Sequence, residues 1–358
     1  MSLAERGAGS VNPNPLVGAV VVRDGDIIAE GWHRKYGGLH AEREAFAYAD
    51  SHAIQCQGAT MYVTLEPCCH HGHQPPCTEA VISHGISRVV VGMTDPNPLV
   101  AGKGIEILRK AGIAVEVAGE ETPLARELRF QNRVFLKYIT SQRPWITMKY
   151  AMTLDGKICT TTGESQWITG EEARRFVHIL RKRHTAILCG IGTILADDPM
   201  LTTRIDDEPE ARNPIRIILD RNLRTPLTAK VVTTAGKTPT VIVHAPDADT
   251  LKAERLHEAG VRTWSCHSLR DMAEKAHAEG IDSILVEGGG TINEAFVREG
   301  LADELWAFIA PKIVGGSEAK TPVEGHGIAR LADAMTLDDI RTERFGNDVC
   351  IHGITKVE

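Results

Sequence analysis

The segment Thr64–Cys77, with the sequence TLEPCCHHGHQPPC, concentrates residue types that bind soft metal ions. It holds three cysteines and three histidines in fourteen positions, within a chain of 358 residues that has eight cysteines in all. Thiolate sulfur and imidazole nitrogen are the ligands that zinc prefers in proteins. The segment therefore predicts a zinc site, and the question is which of its side chains bind the ion.

A histidine and a glutamate stand two positions apart upstream of this segment, at His40 and Glu42. Together with Pro67-Cys68 and Cys77 they match the H-x-E…P-C…C pattern of zinc deaminases, in which the glutamate moves protons and does not bind the metal. The usual pattern separates its two cysteines by two residues, whereas eight intervene here. We predict that His40, Cys68 and Cys77 bind zinc, with water as the fourth ligand.

The insert between the two cysteines is rich in glycine and proline, which predicts a loop. Its last residues, Pro75-Pro76, would bring Cys77 to the first turn of a helix, where the helix dipole favours a thiolate. Cys69 directly follows a predicted ligand, so we expect its side chain to point elsewhere.

Two features of this segment stay open from the sequence. The loop histidines His70, His71 and His73 are either solvated, or one or two of them line the substrate pocket. A purely structural zinc site is the alternative to a catalytic one. It would prefer four protein ligands and would have no use for Glu42, so the sequence favours a catalytic site with one open position.

The elements that must position these residues alternate between strand and helix signals over the first 140 or so residues. Residues 18–32 predict a β-hairpin with its turn at Asp24-Gly25. In residues 40–52 the apolar residues recur with the period of a helix. Three more strands and two short helices follow, and residues 121–141 predict one long polar helix. This half predicts an α/β sandwich with a mixed sheet, and we place the domain boundary near Gln142-Arg143-Pro144.

The second half has the strands and helices of another α/β domain with its own core. Its longest apolar stretch, AILCGIGTILA at residues 186–196, reads as a buried strand followed by a turn. Asp197 would then lie at the end of this buried segment. The run ILVEGGGTINEAF, residues 284–296, places three glycines between a strand and a helix, where backbone N–H groups can approach an anion.

Composition excludes some functions and favours others. The formal net charge of −7 argues against nucleic-acid binding by bulk electrostatics. No apolar run reaches the ~18–20 residues of a membrane span, and the first residues lack an apolar signal core. Eight cysteines in so long a chain favour metal binding or buried thiols over a disulfide scaffold. We therefore expect a cytoplasmic protein without membrane or nucleic-acid partners.

Nearly the whole chain resembles one known family. PNPLVGAVVV, HAEREAF, YVTLEPCCHHGHQPPC and DPNPLVAGKG are similar to the deaminase half of the bifunctional riboflavin-biosynthesis deaminase-reductases. MKYAMTLDGKI, GESQWIT, TILADDPMLTTR, PIRIILD and ILVEGGGTINEAF are similar to the reductase half. The resemblance implies a cytidine-deaminase-like α/β sandwich at residues 1–143 and a dihydrofolate-reductase-like α/β domain at residues 144–358. It also implies Zn²⁺ and NADPH as cofactors.

For the first half, the resemblance implies a diaminopyrimidinone carrying a phosphoribosylamino group as substrate. Glu42 would move the protons of the deamination, and Asn14 would bind the pyrimidine. Asn97, Asp95 and His70 are weaker candidates for substrate contacts. The chain departs from the family pattern in a shorter helix before PNP, and in His73 where the family often has lysine or arginine. A histidine would make the phosphate contact depend on pH.

For the second half, the resemblance implies reduction of the ribosyl side chain by NADPH, with Asp197 as the proposed acid. The sequence alone does not separate NADPH from NADH. The implied cofactor-binding positions are Ala151, Trp167, Thr193, Asp197, Gly289, Gly290, Thr291 and Ile292. The implied substrate positions are Lys149, Ser165, Arg181, Leu201, Arg204 and Glu287.

These features predict an enzyme that acts on a small pyrimidine ribonucleotide, and we expect a homo-oligomer, a dimer or a tetramer. The alternative is a nucleic-acid or nucleoside deaminase with an appended nucleotide-binding domain. The acidic balance and the lack of a basic, aromatic-rich stripe argue against that alternative.

Overall fold

The computed structural model describes residues 1–72, 74–98 and 100–356. The chain divides into two compact units, Met1–Gln142 and the residues from Arg143 onward. Each unit has its own sheet and its own hydrophobic core. Among the described helices, none combines the length and the apolar character that a bilayer crossing requires.

The first unit is built on a mixed five-stranded sheet in the order β2-β1-β3-β4-β5. β1 is antiparallel to β2 and to β3, whereas β3, β4 and β5 are parallel. The predicted hairpin is confirmed, with its turn at Asp24 and Gly25, which both have positive φ. The strands are β1 (Gly18–Arg23), β2 (Asp26–Trp32), β3 (Thr60–Val63), β4 (Arg88–Val91) and β5 (Ala114–Val117).

Helices cover this sheet and bury its apolar face. They are α1 (Ser2–Glu5), α2 (Ala41–Ser51), α3 (Cys77–Ser83), α4 (Lys103–Lys110), α5 (Pro123–Gln131) and α6 (Arg133–Thr140). Side chains from α2, α3 and α4 join those of the strands in the main core. A Cβ at Gly31 would lie 2.4 Å from both Ala41 O and Ala45 N. Only glycine therefore lets the backbone of α2 lie directly against β2.

The sequence predicted one long polar helix at residues 121–141. The structure has two helices there, α5 and α6, so the prediction of a single continuous helix was wrong. Asn132 separates them. Its side-chain Oδ1 accepts a hydrogen bond from Leu16 N at 2.8 Å, and its Nδ2 donates to Leu16 O at 3.0 Å. The buried amide thus pairs with backbone from the segment before β1, and this contact is invisible to local helix propensity.

The second unit is built on a nine-stranded sheet in the order β10-β9-β8-β7-β11-β6-β12-β14-β13. The strands from β10 to β12 are parallel, and β14 and β13 extend that edge as an antiparallel ribbon. The strands are β6 (Trp145–Thr153), β7 (Ala186–Gly190), β8 (Ile215–Leu219), β9 (Thr240–His244), β10 (Arg262–Ser265), β11 (Ser283–Val286), β12 (Glu304–Ala310), β13 (Leu337–Phe345) and β14 (Asp348–Thr355).

The helices of this unit are α7 (Glu171–Arg183), α8 (Ile191–Asp197), α9 (Lys230–Thr233), α10 (Thr250–Glu258), α11 (Leu269–Ala278) and α12 (Gly290–Arg298). α8 corrects two sequence expectations. The apolar stretch after β7 continues as a helix and not as a turn. Asp197 ends that helix with an exposed side chain, so it does not close a buried segment.

Candidate functional site

The candidate metal centre brings together one imidazole and two thiols. His40 Nδ1 lies 3.4 Å from Cys68 Sγ and 3.5 Å from Cys77 Sγ, and the three atoms all lie within 4.8 Å of one another. Cys77 is fully buried, and its backbone N–H donates to Cys68 Sγ at 3.4 Å. The side-chain hydrogen bond from Cys77, together with the one from His40, lowers the pKa of Cys68 well below the ordinary thiol value, which favours the thiolate form that binds a metal ion.

This geometry fits a tetrahedral zinc ion. With Zn–S near 2.3 Å and Zn–N near 2.0 Å, a tetrahedral angle separates sulfur from nitrogen by about 3.5 Å. The two His40–sulfur distances, 3.4 and 3.5 Å, agree with that value. Two sulfurs and one nitrogen are a set that zinc accepts at catalytic sites, where three protein ligands leave one position open.

The sheet places these residues at one edge. β3 ends shortly before Cys68 and the parallel β4 ends before Asp95, so both loops leave the same edge. β1 starts at this edge because it is antiparallel to β3, and α2 begins after β2 has ended there. His40 is the residue before α2, and Cys77 is the first residue of α3. Loops at the carboxyl ends of parallel strands are the usual place for a binding site.

Glu42 lies in the first turn of α2, two residues after His40, and is 3% exposed. Burial raises the pKa of Glu42 to about 7. A carboxyl group in this range both accepts and releases protons near neutral pH, as a proton shuttle must.

Arg43 holds the segment that precedes Cys77. Its Nε donates to Pro75 O at 3.0 Å and its Nη2 donates to Pro76 O at 2.8 Å. The guanidinium of α2 therefore fixes the end of the loop that the sequence predicted between the two cysteines. Charge-assisted donors of this kind are stronger than neutral ones.

Asn14 is connected to the candidate metal centre by a neighbouring histidine, His33. Asn14 Nδ2 is 3.1 Å from His33 Nε2, and His33 Nδ1 is 2.8 Å from Leu39 O. Since Nδ1–H donates to that carbonyl, Nε2 accepts from Asn14. Burial lowers the pKa of His33, which keeps the ring neutral. The rings of His33 and His40 meet edge to face at 5.3 Å, so Asn14 is oriented beside a candidate ligand.

The remaining candidates of the first unit lie in two loops. His70 is exposed in the loop between the cysteines, and Cys69 is half-buried there. His73 lies outside the described residues. Asn97 is half-buried, and its backbone N–H donates to the carboxylate of the buried Asp95 at 2.8 Å. Asp95 and Asn97 therefore share one turn at the sheet edge that also holds the candidate ligands.

A second polar cluster lies in the other unit, around Glu287, which directly follows β11. Arg181 Nε and Nη2 donate to its two oxygens at 2.6 and 3.0 Å, and Lys149 Nζ lies 3.6 Å from Oε2. All three side chains are at most 15% exposed. Burial alone would raise the pKa of Glu287, but Arg181 and Lys149 lower it to about 2. Two cations share one carboxylate, so the cluster has a surplus positive charge that suits an anionic ligand.

The segment after α8 joins this cluster. Arg181 Nη1 donates to Thr202 O at 3.0 Å, next to the buried Leu201, whose φ is 51°. Arg204 is exposed, and its backbone N–H donates to His178 Nδ1 at 3.2 Å. Burial, with Arg181 and Arg204 nearby, lowers the pKa of His178 to about 4, so this ring is a neutral acceptor.

Two helix N-termini share one sheet edge in this unit. β7 and β11 are adjacent and parallel, and α8 and α12 begin where these strands end. A Cβ on Gly190 would lie 3.0 Å from Ile292 Cγ1, so the two helix starts are in contact. Thr193 lies in the first turn of α8. Gly289 is the residue before α12, and the first turn of that helix holds the other three candidate cofactor positions, Gly290, Thr291 and Ile292.

The other candidate cofactor and substrate positions are more dispersed. Ala151 lies on β6, two residues after Lys149, and Ser165 is half-buried in a loop. Trp167 is 61% exposed; its carbonyl accepts from Lys312 Nζ at 2.6 Å, and the Arg174 guanidinium lies 4.6 Å from its ring centroid. Among the described contacts, none links Trp167 to the first turn of α12.

Three residues that support these clusters were not predicted from the sequence: His33, Arg43 and His178. Each acts through hydrogen bonds to backbone or side chains that are distant along the chain or in another element. The only sequence signal is their position within or beside the motifs, and that signal does not distinguish them from solvated polar residues.

Two models of known protein families match separate parts of the chain. A model of the cytidine and deoxycytidylate deaminase zinc-binding region matches residues 1–93, which contain His40, Glu42, Cys68 and Cys77. A model of the RibD C-terminal domain matches residues 144–351, which contain the Glu287 cluster and the first turns of α8 and α12.

Relatives match over nearly the full length. The chain is 45% identical to riboflavin biosynthesis protein RibD of Actinobacillus pleuropneumoniae, over 98% of this chain and 92% of the relative. It is 39% identical to RibD of Escherichia coli, over 98% of this chain and 96% of that relative. The structure of Acinetobacter baumannii RibD superposes with a TM-score of 0.86 at 36% identity, over 99% of this chain and 96% of that one.

A second solved structure gives the same result. The diaminohydroxyphosphoribosylaminopyrimidine deaminase/5-amino-6-(5-phosphoribosylamino)uracil reductase of Thermotoga maritima superposes with a TM-score of 0.86 at 36% identity, over 99% of this chain and 96% of that one. The expected fold class, a cytidine-deaminase-like domain followed by a reductase domain, is confirmed. The chain belongs to the RibD family of bifunctional riboflavin-biosynthesis enzymes, in which a zinc-dependent deaminase is joined to an NADPH-dependent reductase.

Proposed function

We propose that residues 1–143 deaminate 2,5-diamino-6-(5-phosphoribosylamino)pyrimidin-4(3H)-one. We also propose that residues 144–358 reduce the ribosyl side chain of the product, 5-amino-6-(5-phosphoribosylamino)uracil, to ribityl with NADPH. The observation that carries the proposal is the pairing of a His40/Cys68/Cys77 cluster with the buried Glu42. A structural zinc site would have no need of that carboxylate.

In the deamination, the amino group at C2 of the ring is replaced by oxygen and leaves as ammonia. His40, Cys68 and Cys77 would hold the zinc ion, which would supply the Lewis acidity that makes water nucleophilic at neutral pH. Glu42 would accept a proton from the attacking water and deliver it to a ring nitrogen. It would then take the proton of the hydroxyl group newly bonded to C2 and pass it to the amino group, which leaves as ammonia. Asn14 binds the pyrimidine, with Asn97 and His70 as further substrate contacts.

In the reduction, NADPH would supply a hydride for C1′ of the ring-opened sugar, and Asp197 is the proposed donor of the proton to the substrate nitrogen. The first turns of α8 and α12, with Thr193 and Gly289 to Ile292, suit the cofactor phosphates because helix N-termini bind anions. Ala151 and Trp167 complete the proposed cofactor site. Arg181, Arg204 and Lys149 suit the substrate phosphate or its anionic ring, and Ser165, Leu201 and Glu287 complete the proposed substrate site.

One assay tests both halves. The full chain is supplied with the diaminopyrimidinone nucleotide and NADPH, and ammonia release and loss of nicotinamide absorbance are followed together. We expect ammonia release without NADPH, and NADPH oxidation only after deamination. Ammonia release from tRNA or single-stranded DNA, but not from the nucleotide, would contradict the proposal.

The ligand assignment predicts that about one zinc ion co-purifies with each chain, since a catalytic site holds one ion with three protein ligands. Cys77→Ser should lose the zinc, because it removes a buried sulfur that lies against His40. Cys69→Ser is the matched control and should keep it. Elemental analysis measures the zinc content of each variant. If Cys77→Ser kept its zinc and Cys69→Ser lost it, Cys69 and not Cys77 would be the ligand.

We further propose that the protein acts in the cytoplasm as a homo-oligomer. All eight cysteines are free, as expected in a reducing compartment. Several large apolar side chains between residues 313 and 340 are strongly exposed, which is typical of an interface: Ile313, Ile328, Leu331 and Ile340. Light scattering of the purified chain tests the assembly, and a monomer at micromolar concentration would contradict it.

A further inference from the structure

Glu66 is a buried carboxylate that neither binds the candidate metal nor moves protons in the scheme above. It stands two residues before Cys68 and is 3% exposed. Its Oε2 accepts backbone hydrogen bonds from Asp95 N at 3.2 Å and from Gly102 N at 2.9 Å, and its Oε1 accepts from Ile105 N at 3.2 Å. Buried charges persist where they are hydrogen-bonded, and these three donors come from two other segments of the chain.

Two of the donors belong to the start of α4. Gly102 is the residue before the helix and has no side chain to cap it, and Ile105 lies in the first turn. Glu66 therefore supplies, from a distant segment, the oxygen that a capping side chain normally provides. The negative charge is also favourable at a helix N-terminus.

The same helix lies against the turn that carries Cys68. A Cβ on Gly104 would lie 2.2 Å from Pro67 O and 3.1 Å from Glu66 Oε1. Only glycine permits this approach. The start of α4 is thus fixed to the Glu66–Cys68 turn by both hydrogen bonding and direct packing.

The third donor belongs to the turn that holds Asn97. Asp95 N donates to Glu66, while Asp95 Oδ1 accepts from Asn97 N at 2.8 Å. Asn97 O then accepts from Val100 N at 2.8 Å. The segment from Asp95 to Gly102 is therefore attached to one carboxylate at both ends, with Asn97 between them.

We propose that Glu66 is a positioning residue that sets the location of Asn97 relative to Cys68, and through it the binding of the substrate. It acts through backbone N–H groups and contacts no substrate itself. The inference rests on the proposed function for the role of Asn97. It goes beyond that function by making substrate binding depend on a residue outside the pocket.

The test uses Glu66→Gln in the full chain. Glutamine keeps the size of the side chain but replaces one oxygen with an NH₂ group, so at least one of the three N–H donors loses its acceptor. A hydrogen bond to a charged group contributes enough for its loss to raise the deaminase KM roughly tenfold. Zinc content and kcat should change little, because His40, Cys77 and Glu42 are untouched. If the variant lost zinc to the same extent as its KM rose, Glu66 would have a general structural role and the proposal would be overturned.

The control is Glu106→Gln, which removes a negative charge from the first turn of the same helix. Glu106 is exposed and pairs only with Lys110 among its described ion pairs. We expect its KM to stay within about twofold of the parent value, since exposed pairs contribute little. A KM rise equal to that of Glu66→Gln would show that helix charge, and not the contact with Asp95, is responsible, and would overturn the proposal.

A double-mutant cycle with Asn97→Ala gives the decisive readout. If Glu66 acts through Asn97, each single variant raises KM and the double variant raises it no further than the larger single effect. Independent, multiplicative effects would overturn the positioning role while leaving the Asn97 assignment intact. An unchanged KM in Asn97→Ala would overturn both. If Glu66→Gln does not accumulate as folded protein, Glu66→Asp carries the same cycle, because it keeps the charge but shortens the reach.

Discussion

Glu42→Gln is expected to lower the rate of ammonia release by about 10²–10⁴-fold, the usual contribution of general acid–base catalysis. Glutamine keeps the shape of the buried side chain next to His40 but cannot accept and return a proton. Zinc content should be unchanged, because Glu42 is not among the candidate ligands. Ammonia release from the diaminopyrimidinone nucleotide is the measurement.

The control for this variant lies in the same chain. Reduction of supplied 5-amino-6-(5-phosphoribosylamino)uracil should persist within a factor of a few, because each unit has its own sheet and core. Asp197→Asn should do the reverse, sparing ammonia release and impairing NADPH oxidation. If Glu42→Gln also abolished the reduction, the two activities would depend on one site or on coupled sites.

Glu287→Gln is expected to abolish reduction and to destabilise the second unit. Removing one partner of a buried ion pair leaves an uncompensated charge and costs about 3–5 kcal/mol. Here Arg181 and Lys149 would both lose their carboxylate. Four of the five tryptophans belong to this unit, so denaturant unfolding followed by tryptophan fluorescence reports mainly on it.

Asp333→Asn is the matched control, since it removes an exposed carboxylate that pairs with Arg330 in the same unit. Exposed pairs contribute about 0–1 kcal/mol, so its unfolding midpoint should stay close to that of the parent chain. Equal midpoints for the Glu287→Gln variant and the parent would show that the cluster does not stabilise the fold.

The Glu287 carboxylate also predicts that the stability of the second unit falls at acidic pH. Its pKa is lowered from the ordinary 4.5 to about 2 in the folded chain. The folded state therefore binds this proton more weakly than the unfolded state does. The contribution of Glu287 is fully present above pH 4.5 and is lost as the pH falls from there towards about 2. Glu287→Gln should show a shallower fall of stability over that interval, and an equally steep fall would assign the loss of stability at acidic pH to other carboxylates.

Much of the fold could be predicted from the sequence because most elements carry a clear period. The hairpin at Asp24-Gly25 and the helix after His40 are examples, and both are confirmed. β13 was not predicted, because it is an edge strand whose side chains are mostly exposed on both faces and show no apolar alternation. α8 was not predicted either, since a short apolar run after a buried strand fits a turn as well as a helix.

The candidate metal site could be predicted because residue type limits the choice of ligands. Soft donors are few in the chain, and spacing then selects among them. The supporting residues could not be predicted in the same way. The hydrogen bonds of Glu66 reach residues 29 to 39 positions away, and Asn132 bonds to backbone 116 positions away. Only the folded chain brings such partners together.

The spacing of the candidate ligands has a consequence for the chain itself. His40, Cys68 and Cys77 come from three separate segments, 28 and 9 positions apart. An ion that binds all three in the folded chain, but not in the unfolded chain, adds its binding free energy to the stability of the first unit. Metal supply therefore adjusts the folding equilibrium of the first unit by mass action. At low zinc concentration the first unit would unfold more often, while the second unit, with its own core, would keep its stability.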